Sequence, residues 1–191
     1  MRKKILYIAA VVICLAIITS GTLAYFTAED TARNVITSGS VDVAVVEQQL
    51  ISGTLQTYPD QPTPVMPGTT VSKIVSVQSM DQAAWIRANY TVTIYDADGR
   101  QMEISGAELA KVVLIEPDSV NWTLKNGWWY YNAACKAGET TKPLFEAVEF
   151  SGPEMGNEYQ RCTVTIDIHA QAVQQANNGS TVMEAAGWPE E

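Results

Sequence analysis

From Arg161 to Ala172 the chain alternates for twelve residues without a break. Cys162, Val164, Ile166, Ile168, Ala170 and Ala172 fall on one side; Arg161, Thr163, Thr165, Asp167, His169 and Gln171 fall on the other. Strand side chains point to opposite faces in turn, whereas a helix repeats about every 3.6 residues, so this run reads as a long strand with one face on a core and one toward water. Ile86, Ala88, Tyr90, Val92 and Ile94 alternate with Arg87, Asn89, Thr91 and Thr93 in the same way, and Val41, Val43 and Val45 alternate with Asp42 and Ala44. Val71, Val75 and Val77 make a fourth, less regular run.

Turn chemistry separates these runs. Asp98-Gly99 lies between Val92–Tyr95 and Gln101–Ile104, and Asn126-Gly127 lies between Trp122–Leu124 and Trp128–Tyr131. Both dipeptides tolerate the positive φ that tight hairpins need. Pro59, Pro62, Pro64 and Pro67 make the stretch up to Gly68 an extended loop. Only Ala107–Lys111 and Val182–Ala186 invite a helical turn or two. Eight or nine strands without a repeat predict an all-β fold, a single antiparallel β-sandwich of jelly-roll or immunoglobulin-like kind.

The amino terminus is built differently. Arg2, Lys3 and Lys4 precede 14 uninterrupted apolar residues, Ile5–Ile18, followed by Thr19-Ser20-Gly21-Thr22 and Leu23-Ala24. A positive cap, a short apolar stretch and small residues at Thr22 and Ala24 are the layout of a secretory signal peptide cut between Ala24 and Tyr25. The apolar run is short of the roughly 20 residues that cross a bilayer; left uncut, it could stretch to Phe26 as an anchor. The expected organisation is 1–24 signal peptide and 25–191 sandwich domain, with 25–38 an extended assembly segment. Membrane contact is expected only through the uncleaved signal.

Cutting there leaves 167 residues, enough for one real core, with nine basic residues against 21 acidic ones, a net charge of −12. Without a Lys/Arg cluster, nucleic acid is not an expected partner. Cys14 lies inside the apolar stretch. Export permits a disulfide between Cys135 and Cys162; two separate buried thiols are the alternative.

Candidate chemistry is sparse. A hydrolytic zinc centre needs about three ligands and a base, and the chain holds one histidine, His169, on the polar face of its strand with no HExxH pattern. No GxSxG elbow supports a serine nucleophile. Asp96-Ala97-Asp98-Gly99-Arg100 looks like a calcium loop, but the position where an EF-hand places its bidentate Glu is Ala107, so a turn is expected. No catalytic residue, metal site or cofactor is expected, and the chain reads as a non-enzyme. Trp128, Trp129, Tyr130 and Tyr131 are the candidate interaction patch: alternation sends Trp128 and Tyr130 to one side and Trp129 and Tyr131 to the other. One side then faces a core, and the second is either roofed by a loop or is a sticky patch for a subunit or a glycan.

Gly21-Thr22-Leu23-Ala24-Tyr25-Phe26-Thr27, Asp30-Thr31-Ala32-Arg33-Asn34 and Thr37-Ser38-Gly39-Ser40-Val41-Asp42-Val43 resemble the amino-terminal segment of the TasA/camelysin family. These are exported proteins of Gram-positive bacteria whose signal peptides a SipW-type signal peptidase removes. Pro67-Gly68, Trp85-Ile86-Arg87, Gly138-Glu139-Thr140-Thr141 and Ala172-Val173-Gln174 are similar to patterns in clostridial relatives. The resemblance implies a secreted or cell-surface β-sandwich subunit of extracellular biofilm-matrix fibres, self-associating by donating an amino-terminal strand. Carried over by position, the donor lies within Tyr25, Phe26 and the residues up to Val35, and Val41–Val46 is the subunit's own first strand. Two aromatics at a newly cut terminus either fold back or pair with the edge of another copy, which favours the same outcome. The alternatives are a monomeric surface binding module using the aromatic hairpin and, less favoured, a camelysin-like metallo-endopeptidase.

Overall fold

A computed structural model describes residues 41–59 and 66–189. The chain divides into two units, Met1–Thr37 and Ser38–Glu191; the predicted signal segment, the cleavage pair Ala24 and Tyr25, and the donor residues Tyr25, Phe26 and Val35 lie outside the described residues.

The described part of the second unit is β1 (Val43–Ile51), β2 (Thr54–Thr57), β3 (Thr70–Ser79), β4 (Ala84–Tyr95), α1 (Gly106–Val112), β5 (Val113–Ile115), β6 (Trp122–Lys125), β7 (Trp128–Tyr131), β8 (Phe145–Phe150) and β9 (Thr163–Gln174), with a 3-10 turn at Asn157–Tyr159 before β9. The strands form two antiparallel sheets packed as a sandwich, ordered β2-β1-β3-β8-β5 and β6-β7-β4-β9. The two cleanest alternating runs of the sequence are β4 and β9. They pair over twelve residues, from Ala84 opposite Gln174 to Tyr95 opposite Thr163, with no register shift.

The core lies where alternation places it. Val75 and Val77 of β3, Ile86, Ala88 and Ile94 of β4, and Phe145 and Val148 of β8 are buried between the sheets, with Trp122 of β6 and Leu144 fully enclosed. The Tyr90 ring meets Phe145 edge-on, centroids 5.5 Å apart. Cys162, Val164, Ile166, Ile168, Ala170 and Ala172 face this core, although only half-buried. Trp122 Nε1–H is shared between the carbonyls of Lys142 and Pro143, at 3.2 and 3.1 Å. A polar atom in this core thus keeps the partners that burial demands.

Local differences from expectation have local causes. The strand expected from Val41 begins at Val43 and runs to Ile51, because Ser52-Gly53, with φ of 51° and 80°, turns it into β2. The return strand expected after Asp98-Gly99 pairs with β4 only at Tyr95–Gln101 and through Met102 N–H to Ile94 C=O. The Asp96 carboxylate accepts the N–H groups of Asp98 and Arg100, each at 2.9 Å, so the calcium-like motif is an Asx turn. Those bonds, Arg100's first, lower the Asp96 pKa. The expected helical turn at Ala107–Lys111 is α1, capped by Ser105 Oγ accepting from Glu108 N–H.

Candidate functional site

The aromatic hairpin β6–β7 divides as alternation requires. Trp129 and Tyr131 point inward and pack on the main core, Tyr131 against Trp122 with centroids 5.1 Å apart. Trp128 and Tyr130 point to the other face of the four-stranded sheet, yet are only 7% and 8% exposed. A carboxy-terminal strap, residues 175–189, roofs them: Val182, Met183, Ala185 and Trp188 close over Trp85, Trp128, Tyr130 and Val173 in a second apolar cluster. Of the two readings open for this hairpin, the loop-roofed wall is the one found, and Trp128–Tyr131 do not form an exposed patch.

The strap is built to hold a fixed shape. Asn178 and Ala186 exchange two hydrogen bonds, at 3.0 and 2.9 Å, and Glu184 N–H and Ala185 N–H bond back to Thr181 and Val182. The chain crosses itself at Gly179, φ 76°, where a Cβ would stand 3.0 Å from the Glu184 backbone; glycine alone meets both demands. Trp85 Nε1–H ties the strap to β4 by donating to Asn178 C=O at 2.8 Å.

At the centre of this cluster stands Arg87. Its guanidinium carbon lies 4.4 Å from the Trp128 ring centroid, 4.8 Å from Trp188 and 5.9 Å from Tyr130, within reach of the ring quadrupoles. Its nitrogens donate twice to Gln171 Oε1, at 2.9 and 2.6 Å, once to the Tyr130 hydroxyl at 3.1 Å and once to Pro189 C=O at 3.2 Å. One side chain thus joins β4, β7, β9 and the strap. The sequence placed Arg87 on a polar face and gave it no role. The available signal was register: Arg87 lies opposite both Tyr130 and Gln171, which no local pattern reveals.

The second feature is a gap. β9 covers one side of β4 throughout, whereas on the other side β7 pairs only with Arg87 and Ala88. Pairing on that side resumes at Ile94 and Tyr95. Ala84 exchanges both its bonds with Cys135, and Ile94 C=O accepts from Met102, on this side. By the two-residue period, Tyr90 and Val92 direct their N–H and C=O groups there too, where no described strand stands. The vacancy from Asn89 to Thr93 is roughly 15 Å long at about 3.3 Å per residue. Beneath it runs a groove of about 340 Å³ walled by Tyr90, Val92, Leu109, Ala110, Val113 and Ile115.

The cysteines are separate. Cys135 and Cys162 are free thiols, which settles the disulfide expectation against a bridge. Cys135 pairs with Ala84 at one end of β4, and Cys162 precedes Thr163, opposite Tyr95 at the other. The twelve residues of β4 hold them roughly 35 Å apart, whereas a disulfide needs Cα atoms within about 7 Å. Burial pushes both thiol pKa values up, and Cys135 donates to Glu139 C=O at 3.0 Å. His169 is exposed on the outer face of β9. Among the described residues no group of three His, Cys, Asp or Glu side chains could hold a metal, and no helix is long and apolar enough to cross a membrane.

No family model, curated protein or solved structure matches this chain. The site therefore stands on its own geometry: an apolar groove on one flank of β4, where no strand stands among the described residues, and a locked arginine–aromatic cluster on its outer face.

Proposed function

We propose that this chain is an exported structural protein, a subunit of extracellular fibres that assemble when the segment from Tyr25 to Val35 of one copy lies along β4 of the next. The observation that carries this reading is the vacancy at Tyr90–Val92 above the groove lined by Leu109, Val113 and Ile115. A guest strand there would gain backbone hydrogen bonds from Tyr90 and Val92, and its alternate side chains would enter the groove, the two components of strand addition. Tyr25 and Phe26 supply aromatic side chains and Val35 a β-branched one, which suit such a track. A donor segment of one copy seated on an acceptor flank of the next is a heterologous contact, which builds a filament when its rotation does not close a ring.

Removal of the signal segment by a SipW-type peptidase would then be the trigger, because only a chain beginning at Tyr25 has a free donor. The test is electron microscopy with size-exclusion chromatography on the chain starting at Tyr25. Two controls accompany it: a form carrying extra residues before Tyr25, and a deletion of residues 25–34. Filaments are expected from the first alone, with all three folded by circular dichroism. Filaments persisting in the deletion would sink the donor-strand reading, and monodisperse monomer from all three would sink fibre formation itself.

A further inference from the structure

Among the described strands, β2 and β5 end one sheet and β6 and β9 end the other. Three of these edges are blunted. β2 and β6 are four residues long, β6 ending at Lys125, and β5 is three residues long, followed by Glu116-Pro117. Short edges, lysine and proline discourage another chain from adding to a sheet. β9 carries none of these devices. It runs for twelve residues without proline, lysine or glycine, and its ladder with β4 has no bulge to twist the edge away.

The direction of its free groups follows from β4. Ala84 turns its N–H and C=O away from β9, toward Cys135, so the odd-numbered residues of β4 bond β9. They meet the odd-numbered residues there, from Thr163 opposite Tyr95 to Val173 opposite Trp85. Val164, Ile166, Ile168, Ala170 and Ala172 therefore direct their N–H and C=O groups off the edge, where no described strand pairs with them. Their side chains face the core yet are only half-buried, because the sheet ends beside them.

We propose that β9 is a dimer contact, pairing antiparallel with β9 of a second copy about a two-fold axis at Ile168. Val164 then lies opposite Ala172 of the second copy, Ile166 opposite Ala170, and Ile168 opposite itself. Each of these residues points its backbone groups off the edge, so each pair exchanges two hydrogen bonds. The outer face sets the register. Asp167 and His169, both exposed, fall opposite one another across the axis, twice, and the imidazole N–H donates to the carboxylate. Moving the axis one residue either way sets Asp167 against Asp167, which repels, or His169 against His169. The edge also suits an acidic molecule meeting its own kind: of 21 acidic residues in the chain, β9 holds only Asp167. A two-fold contact uses each edge once and stops at two copies. It therefore stands apart from strand addition at β4 and needs no free amino terminus.

The test is light scattering after size-exclusion chromatography, on the form carrying extra residues before Tyr25, whose donor segment is not free. Twice the monomer mass is expected. His169→Asp sets carboxylate against carboxylate and should weaken the dimer ten-fold or more, while Asp167→His combined with His169→Asp exchanges the partners and should restore it. Both variants should keep the parent melting temperature, since neither side chain makes a hydrogen bond within the fold. A second readout does not depend on affinity: an oxidised mixture of Asp167→Cys and His169→Cys chains should give a disulfide-linked dimer that neither gives alone. Four results would overturn the proposal: monomer at every concentration, a dimer indifferent to His169→Asp, no rescue by the exchange, or cross-linking of one cysteine variant alone as readily as of the mixture. Loss of the dimer on deleting residues 25–34 would also overturn it, by giving the β9 edge to the amino-terminal segment.

Discussion

Arg87 shows how one side chain can organise a surface. A cation between indole rings gains roughly 0.5–2 kcal/mol from each favourable ring, and its loss also strands Gln171 Oε1 and Pro189 C=O. Arg87→Ala should therefore cost about 2–4 kcal/mol, lowering the melting temperature by roughly 5–12 °C for a chain of this size. Arg87→Lys should recover less than half of that, because an ammonium cannot stack flat while reaching all three acceptors; full recovery in a thermal melt would assign the effect to charge alone. Asp118 acts at the same scale. Its carboxylate accepts from the Asn121 side chain at 2.6 Å and from the N–H groups of Val120 and Asn121, and these bonds, the Asn121 side chain's first, hold its pKa below the ordinary 3.8. A carboxylate depressed by folding contributes stability above its unfolded value and loses it as pH falls through the folded one. Thermal melts of Asp118→Ala and the parent should differ most above pH 3.8 and converge below it.

At the scale of elements, legibility followed the range of the interaction. β4 and β9 could be read because each shows its two faces in its own residues, and the Asn126-Gly127 hairpin because its turn states its geometry, with φ of 51° and 81°. β2 was missed although Ser52-Gly53 has the same backbone, since serine is a weaker mark of positive φ than asparagine. β5 was missed because three residues, Val113–Ile115, carry no period. The strap was read as a helical turn and not as a roof: nothing within residues 175–189 says that Trp128 and Tyr130 lie below. Removing it should be decisive for the second cluster. A chain ending at Gln175 loses the packing of Val182 and Trp188, about 3 kcal/mol or more, and should bind the dye ANS through the uncovered Trp85, Trp128 and Tyr130. An unchanged melt without dye binding would mean that the strap is dispensable.

At the scale of the molecule, the sandwich owes its cohesion to packing rather than covalent bonds. With Cys135 and Cys162 at opposite ends of β4, denatured protein should react with two equivalents of thiol reagent without prior reduction, apart from Cys14 where the signal segment is retained. Its melting temperature should not respond to dithiothreitol, and a reductant-sensitive melt would contradict the separation. The groove beside Tyr90 and Val92 was legible only at this scale as well, because it lies where β7 leaves β4 after two paired residues, a matter of two strand lengths rather than of any motif. The β4–β9 ladder has a further consequence in time. Its partners lie 68 to 90 residues apart along the chain, so the longest pairing in the fold has high contact order and is slow to close. Until the last strand has been synthesised, β4 lacks its main neighbour, and the four-stranded sheet cannot close over the core.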